Sequence, residues 1–167
     1  MASTLTVDNI VGATTAGNVH VPGGVVQVVN TFESTQAAST VSDLTQSSDY
    51  LSATITPKFS SSKILVTGHV IGGGSSAGIG VNVFIKAGGA LIPQAELGND
   101  TDGLIIYGLG RSAVADHVGF ELLDSPATTN AYTYTISFGR YGGSGTAYVG
   151  WNGNKERTSL TLMEIAQ

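Results

Sequence analysis

Polar and apolar positions alternate along much of this chain with a period of two. Leu51, Ala53 and Ile55 alternate with Ser52, Thr54 and Thr56, and Pro57 ends the run. That period places successive side chains on opposite faces, as in a half-buried strand. The clearest case lies at residues 132–138. Tyr132, Tyr134, Ile136 and Phe138 take one face, and Thr133, Thr135 and Ser137 take the other. Apolar runs predict further strands over residues 25–29, 64–71, 81–85, 104–107, 114–123, 147–151 and 160–165. Clusters rich in Gly, Pro, Ser and Asn separate these runs, among them Pro22-Gly23-Gly24 and Ala87-Gly88-Gly89-Ala90.

Residues 31–50 carry few apolar side chains and read as a long loop or a pair of weak edge strands. No helical period persists over the ~10–12 residues that a stable helix needs. The pattern therefore predicts an all-β chain of about eight or nine strands, folded as a jelly-roll-like sandwich. Residues 1–22 form a predicted N-terminal arm ahead of a jelly-roll domain at 23–167.

Composition adds constraints on assembly and partners. The chain has 167 residues, and 23 of them are glycine, about twice the usual ~7%. Charged residues make up 11%, well below the ~25% of an average protein. A soluble monomer normally covers itself with more charge than this, so the composition predicts a surface partly covered by identical copies. The net charge of -5 offers no basic field for nucleic acid or an anionic membrane. Zero cysteines exclude disulfides and thiolate metal sites. Residues 1–10 lack a basic cluster followed by an apolar run, which predicts synthesis without an export leader. No run of ~18 apolar residues occurs, so no membrane-inserting helix is expected.

Candidate chemistry is sparse. Gly108-Leu109-Gly110-Arg111-Ser112-Ala113 formally fits a dinucleotide fingerprint, but no helix-forming pattern follows to present its N-terminus to a pyrophosphate. His20, His69 and His117 are far apart, with no paired spacing for a metal; one histidine repeated by threefold symmetry is the remaining geometry. Asp116-His117 lacks the nucleophile elbow that would complete a hydrolytic triad. Asp100 and Asp102 lack the distal carboxylate of a calcium loop. A polysaccharide-cleaving enzyme needs two carboxylates across a groove, and Glu96, Asp116, Glu121 and Asp124 are available for it. None of these patterns is complete, so we expect no enzyme activity, cofactor or resident metal. Tyr141, Tyr148 and Trp151 stand near Gly-rich segments with Asn152, a combination suited to stacking on sugar rings, and they are candidate glycan contacts.

Several segments resemble the tail-fibre and other virion structural proteins of tailed bacteriophages, notably phages of marine and freshwater bacteria. Ser3-Thr4-Leu5-Thr6-Val7-Asp8-Asn9-Ile10 is similar to their N-terminal arm. Val21-Pro22-Gly23 with the valine run after it is similar to their first strand. Leu51-Ser52-Ala53-Thr54-Ile55-Thr56-Pro57, then Ser61-Ser62-Lys63-Ile64-Leu65-Val66, is the most specific segment, and residues 159–167 are similar to their usual end.

The resemblance implies a homotrimeric jelly roll similar to tumour-necrosis-factor-like domains. It implies an arm whose Leu5, Val7, Ile10 and Val11 contact the particle or the other chains of the trimer. The implied role is a short trimeric tail fibre or spike that contacts the host surface, assembled in the host cytoplasm. The alternative is a capsid decoration or cement protein, or head fibre, that stabilises the shell. Expected partners are the chain itself, other virion proteins through the arm, and a host surface glycan.

Overall fold

The structure is a computed structural model that describes residues 21–41, 48–76, 78–92, 116–150 and 157–167, with 104–107 described as backbone. Eleven strands lie among these residues: β1 Val25–Glu33, β2 Ala37–Ser39, β3 Ser48–Ile55, β4 Lys63–Gly74, β5 Gly80–Ala87, β6 Ala90–Leu91, β7 Leu104–Tyr107, β8 Asp116–Asp124, β9 Tyr132–Tyr141, β10 Ala147–Val149 and β11 Thr158–Ile165. The arm, with Leu5, Val7, Ile10 and Val11, lies outside the described residues.

Hydrogen bonding sorts the strands into two antiparallel sheets. In the front sheet, β11 pairs with β4 over Lys63–His69 and β10 pairs with β4 over Gly72–Gly74, so β10 and β11 share one row. β1 and β2 flank that row end to end, and β8 runs along the other edge of β4. The back sheet runs β3, β9, β5, with β6 and β7 both on the far edge of β5. Each sheet thus has four rows. Taken in chain order, the rows interleave as 1-8-3-6 in front and 2-7-4-5 behind. That connectivity is the double Greek key of a jelly roll, and the all-β sandwich expected from the sequence is present.

The alternating residues build the core. Tyr134, Ile136 and Phe138 from β9 face Leu160 and Leu162 from β11, Ile64 and Val66 from β4, and Leu51, Ala53 and Ile55 from β3. All are essentially out of solvent, where each fully buried aliphatic or aromatic side chain contributes about 1.5–3 kcal/mol. The hairpin between β5 and β6 turns on Gly88 (φ 58°) and Gly89 (φ 87°), as a two-residue turn with both central residues left-handed demands.

Residues 31–50, expected as a long loop or a pair of weak edge strands, are in large part edge strand: β1 continues through Thr31, Phe32 and Glu33, β2 spans Ala37–Ser39, and β3 starts at Ser48. The polar residues there are held by partners far along the chain: Thr31 lies opposite Leu160, and Ser48 lies opposite Phe138. A register shift between Asp49 and Leu51 interrupts the alternation of β3, which hid the start of that strand.

One carboxylate ties the end of the sandwich together. Glu164 on β11 is 0% exposed. Its Oε2 accepts from Gln27 Nε2 at 2.6 Å, and its Oε1 accepts from the backbone N–H of Lys58 at 2.7 Å and of Phe59 at 3.2 Å. Gln27 Nε2 also donates to the Thr56 carbonyl at 2.7 Å. The β3–β4 turn is therefore fastened to β11 and β1. Burial alone pushes the Glu164 carboxyl up, but the hydrogens of Gln27 and of the Phe59 and Lys58 amides outweigh it and hold the group below its ordinary value.

The stabilisation from Glu164 is full above the ordinary value of 4.5 and is lost as pH falls through the lower folded value. Urea titrations should show wild-type stability declining over that acidic range, with a shallower decline in Glu164→Gln. At neutral pH the variant should be about 2–3 kcal/mol less stable, since it loses charged hydrogen bonds and turns an amide N–H toward donors.

Close packing also constrains glycines on neighbouring strands. A Cβ at Gly68 would stand 2.4 Å from the Ser159 carbonyl and 2.7 Å from the Phe120 ring, whereas one at Gly119 would meet only the Gly68 carbonyl at 3.8 Å. Gly68→Ala should cost about 1–3 kcal/mol. Gly119→Ala should stay within about 0.5 kcal/mol in the same unfolding measurement.

Candidate functional site

The two outward faces of the sandwich differ in chemistry. On the back sheet, the outward side chains of β3 and β9 pair as hydroxyls: Ser52 with Thr135 at 2.8 Å and Thr54 with Thr133 at 2.7 Å. Lys86 forms an ion pair with Asp49, which also accepts from the Ser137 hydroxyl at 2.7 Å. Partial burial pushes the Asp49 carboxyl up, but Lys86 and Ser137 hold it below the usual range. These polar groups are satisfied within the chain.

The front sheet presents apolar side chains instead. Val25, Val28, Phe32 and Leu123 are between 50% and 59% exposed, and all lie on its edge strands. Register converts part of this set into a line. Val28 lies opposite Met163, Met163 opposite Leu65, and Leu65 opposite Leu123. One apolar row thus crosses all four rows of the sheet, a span of about 14 Å at ~4.8 Å per strand. The alternating burial of β11 and β4 confirms that these residues face outward, because Leu162, Glu164, Ile64 and Val66 between them are buried.

The neighbouring rungs are polar and nearly uncharged. Asn30, Thr161, Thr67 and Glu121 form the next rung, where Asn30 Nδ2 donates to Thr161 Oγ1 at 2.7 Å. The rung beyond holds Phe32, Ser159, His69 and Gly119. Arg157 stacks over the Phe32 ring, its guanidinium carbon 4.4 Å from the centroid. On the other side of the apolar row, Ile165 lies opposite Lys63.

His69 is half-buried on this outward face, and its Nδ1 lies 2.9 Å from Ser159 Oγ. This hydroxyl–imidazole pair was not legible in the sequence, because 90 residues separate the partners. It has the contact of a nucleophile and base but not their setting. Ser159 sits on an inner strand between β1 and β4, where the ladders engage the backbone, so no N–H groups converge to bind an oxyanion.

Among the described residues, the carboxylates considered for polysaccharide cleavage (Asp116, Glu121 and Asp124) do not gather. Glu121 faces outward from β8, while Asp124 accepts from the buried Tyr134 hydroxyl at 2.7 Å. That contact and burial push the Tyr134 hydroxyl up. Asp116 and Asp124 stand at opposite ends of the nine-residue β8. Glu96, Asp100, Asp102 and Gly108–Ala113 lie outside the described residues. Among the described residues no three metal-ligating side chains of the His, Cys, Asp and Glu types cluster, and no helix is long and apolar enough to cross a membrane.

The candidate glycan contacts do not form one described patch. Tyr148 lies on β10 between the buried Ala147 and Val149, so it faces outward on the front sheet beside Gly73. Tyr141 ends β9 in the back sheet, opposite Gly80. Trp151 and Asn152 lie outside the described residues.

Comparison with known proteins gives a limited result. No family model matches the chain, and no curated protein matches it. Solved structures of infectious bursal disease virus are similar at low level. The Gt strain structure has a TM-score of 0.42 at 13% identity, covering 100% of this chain and 43% of that one. The Gx strain structure has a TM-score of 0.37 at 13% identity, covering 100% and 42%. Particles derived from a mutant VP2 protein of the same virus give 0.38 at 13%, covering 99% and 41%. This chain spans less than half the length of those proteins, and its jelly roll is established by its own strand order and register.

Proposed function

We propose that this chain is a non-catalytic structural component of a tailed-bacteriophage virion, working as a homotrimer in a short tail fibre or spike that contacts the host surface. The observation that carries the structural reading is the apolar row Val28–Met163–Leu65–Leu123 on an outward sheet face. An outward apolar strip crossing a sheet face suits another polypeptide surface. The low charge supports the same reading. The virion setting and the threefold state rest on the resemblance of the two ends and the middle of the chain to phage structural proteins. In this reading residues 1–22 attach the head to other virion proteins, through Leu5, Val7, Ile10 and Val11. Host-glycan contact in this reading is assigned to single residues and not to one patch: Tyr141 at the end of β9, Tyr148 on β10, and Trp151 and Asn152 after it in the chain.

A flat face of this kind also suits a capsid shell, which keeps decoration or cement protein as the second reading. Quantitative mass spectrometry of purified particles against the major capsid protein, with particle imaging, separates the two. Copies in multiples of three at the tail fit a fibre, whereas copies spread over the head fit cement. Absence from particles overturns both. Incubation with host surface polysaccharide should release no oligosaccharide.

A further inference from the structure

We infer that the outward face of the front sheet is where copies of this chain meet, and that Lys63 of one copy pairs there with Glu121 of the next. This deepens the structural reading above and rests on it.

Two formal charges stand among the outward side chains of β1, β4, β8 and β11, while the one cation just outside these strands, Arg157, is engaged over the Phe32 ring. Lys63 lies one rung to one side of the apolar row, on β4. Glu121 lies one rung to the other side, on the adjacent β8. Two residues along each strand separate each charge from the row, about 7 Å at ~3.4 Å per residue. The charges therefore flank the row rather than each other. Neither has an ion-pair partner among the described residues, where Lys86 and Asp49 form the salt bridge.

A face of this design is self-complementary. Each copy carries both halves of an ion pair on opposite sides of an apolar strip, so around a threefold axis running along that strip the Lys63 side of each copy meets the Glu121 side of the next. An unrelated partner would have to match the apolar row and both flanking charges; another copy of this chain carries that pattern already. Opposite charges at the margins of an apolar contact fix register and suppress wrong alignments more than they add affinity. The low total charge of the chain, 11%, gives such a pair few competitors on the surface. Asn30, Thr161 and Thr67 add neutral hydrogen-bonding groups to the same rung as Glu121, so no buried charge is left facing them.

The test is sedimentation velocity of the full chain over a range of concentrations, at low and moderate salt, with circular dichroism and thermal melts as folding checks. The wild type should self-associate. Val28→Glu with Leu123→Glu should weaken association by at least about tenfold without loss of fold, because both side chains are half exposed. Lys63→Glu and Glu121→Lys should each weaken it by about twofold to fivefold at low salt, and the double charge swap should restore it.

A wild type that stays monomeric overturns the inference. So does association that is indifferent to Val28→Glu/Leu123→Glu, which would locate the contact in residues 1–20 or elsewhere. A double swap that fails to recover overturns the Lys63–Glu121 pairing. The virion reading is judged separately: a monomeric chain present in purified particles leaves that reading standing while this inference falls. An associating chain absent from particles does the reverse.

Discussion

The structure depends on the seating of β11 between β1 and β4. This last strand enters an inner row of the front sheet and is held in register on both edges over most of its length. Its inward residues Leu160 and Leu162 complete the core, and Glu164 beside them fastens the β3–β4 turn. Its outward Met163 joins Val28 on one side to Leu65 on the other. A slip of one residue would exchange these two sets and place a carboxylate and two leucines in solvent. The register that closes the fold is therefore the register that assembles the outward apolar row.

This coupling explains why the two outward faces differ. The back sheet spends its polar groups on one another, through hydroxyl pairs and the Asp49 cluster. The front sheet leaves apolar side chains outside, together with Lys63, Glu121 and the Arg157 guanidinium stacked over Phe32. An outward row of valine, methionine and leucine places apolar surface in water at a cost, and covering that row offsets the cost. Ser159 and His69 make their hydroxyl–imidazole contact on this front face, where the ladders to β1 and β4 engage the backbone on both sides of Ser159.

Much of the architecture was legible because strands with one buried face must alternate. Residues 51–55 and 132–138 announce themselves in this way, and 160–165 stands out as an apolar run; each has one face in the core. β1 beyond Val29 was not legible, because Asn30, Thr31 and Glu33 become strand only through pairing with a segment about 130 residues away. The start of β3 was hidden by its register shift. The outward face was hidden for a related reason. Val28, Leu65, Leu123 and Met163 are ordinary single residues in four separate runs, and only register lines them up. Glu164 reads as a surface carboxylate near the end of the chain until Gln27, Lys58 and Phe59 are seen around it. The aromatics Tyr141 and Tyr148, close in sequence, part company because β9 and β10 belong to different sheets.

Met163 gives the most direct test of the central claim, that the front face is covered by another copy. It lies in the middle of the apolar row and is partly exposed in the single chain. Its oxidation by dilute peroxide, followed by peptide mass spectrometry, reports whether solvent reaches that point. The account predicts slower oxidation at concentrations where the chain self-associates than at high dilution, and fast oxidation at both in Val28→Glu/Leu123→Glu. Equal rates in the associated and dilute wild type would contradict it.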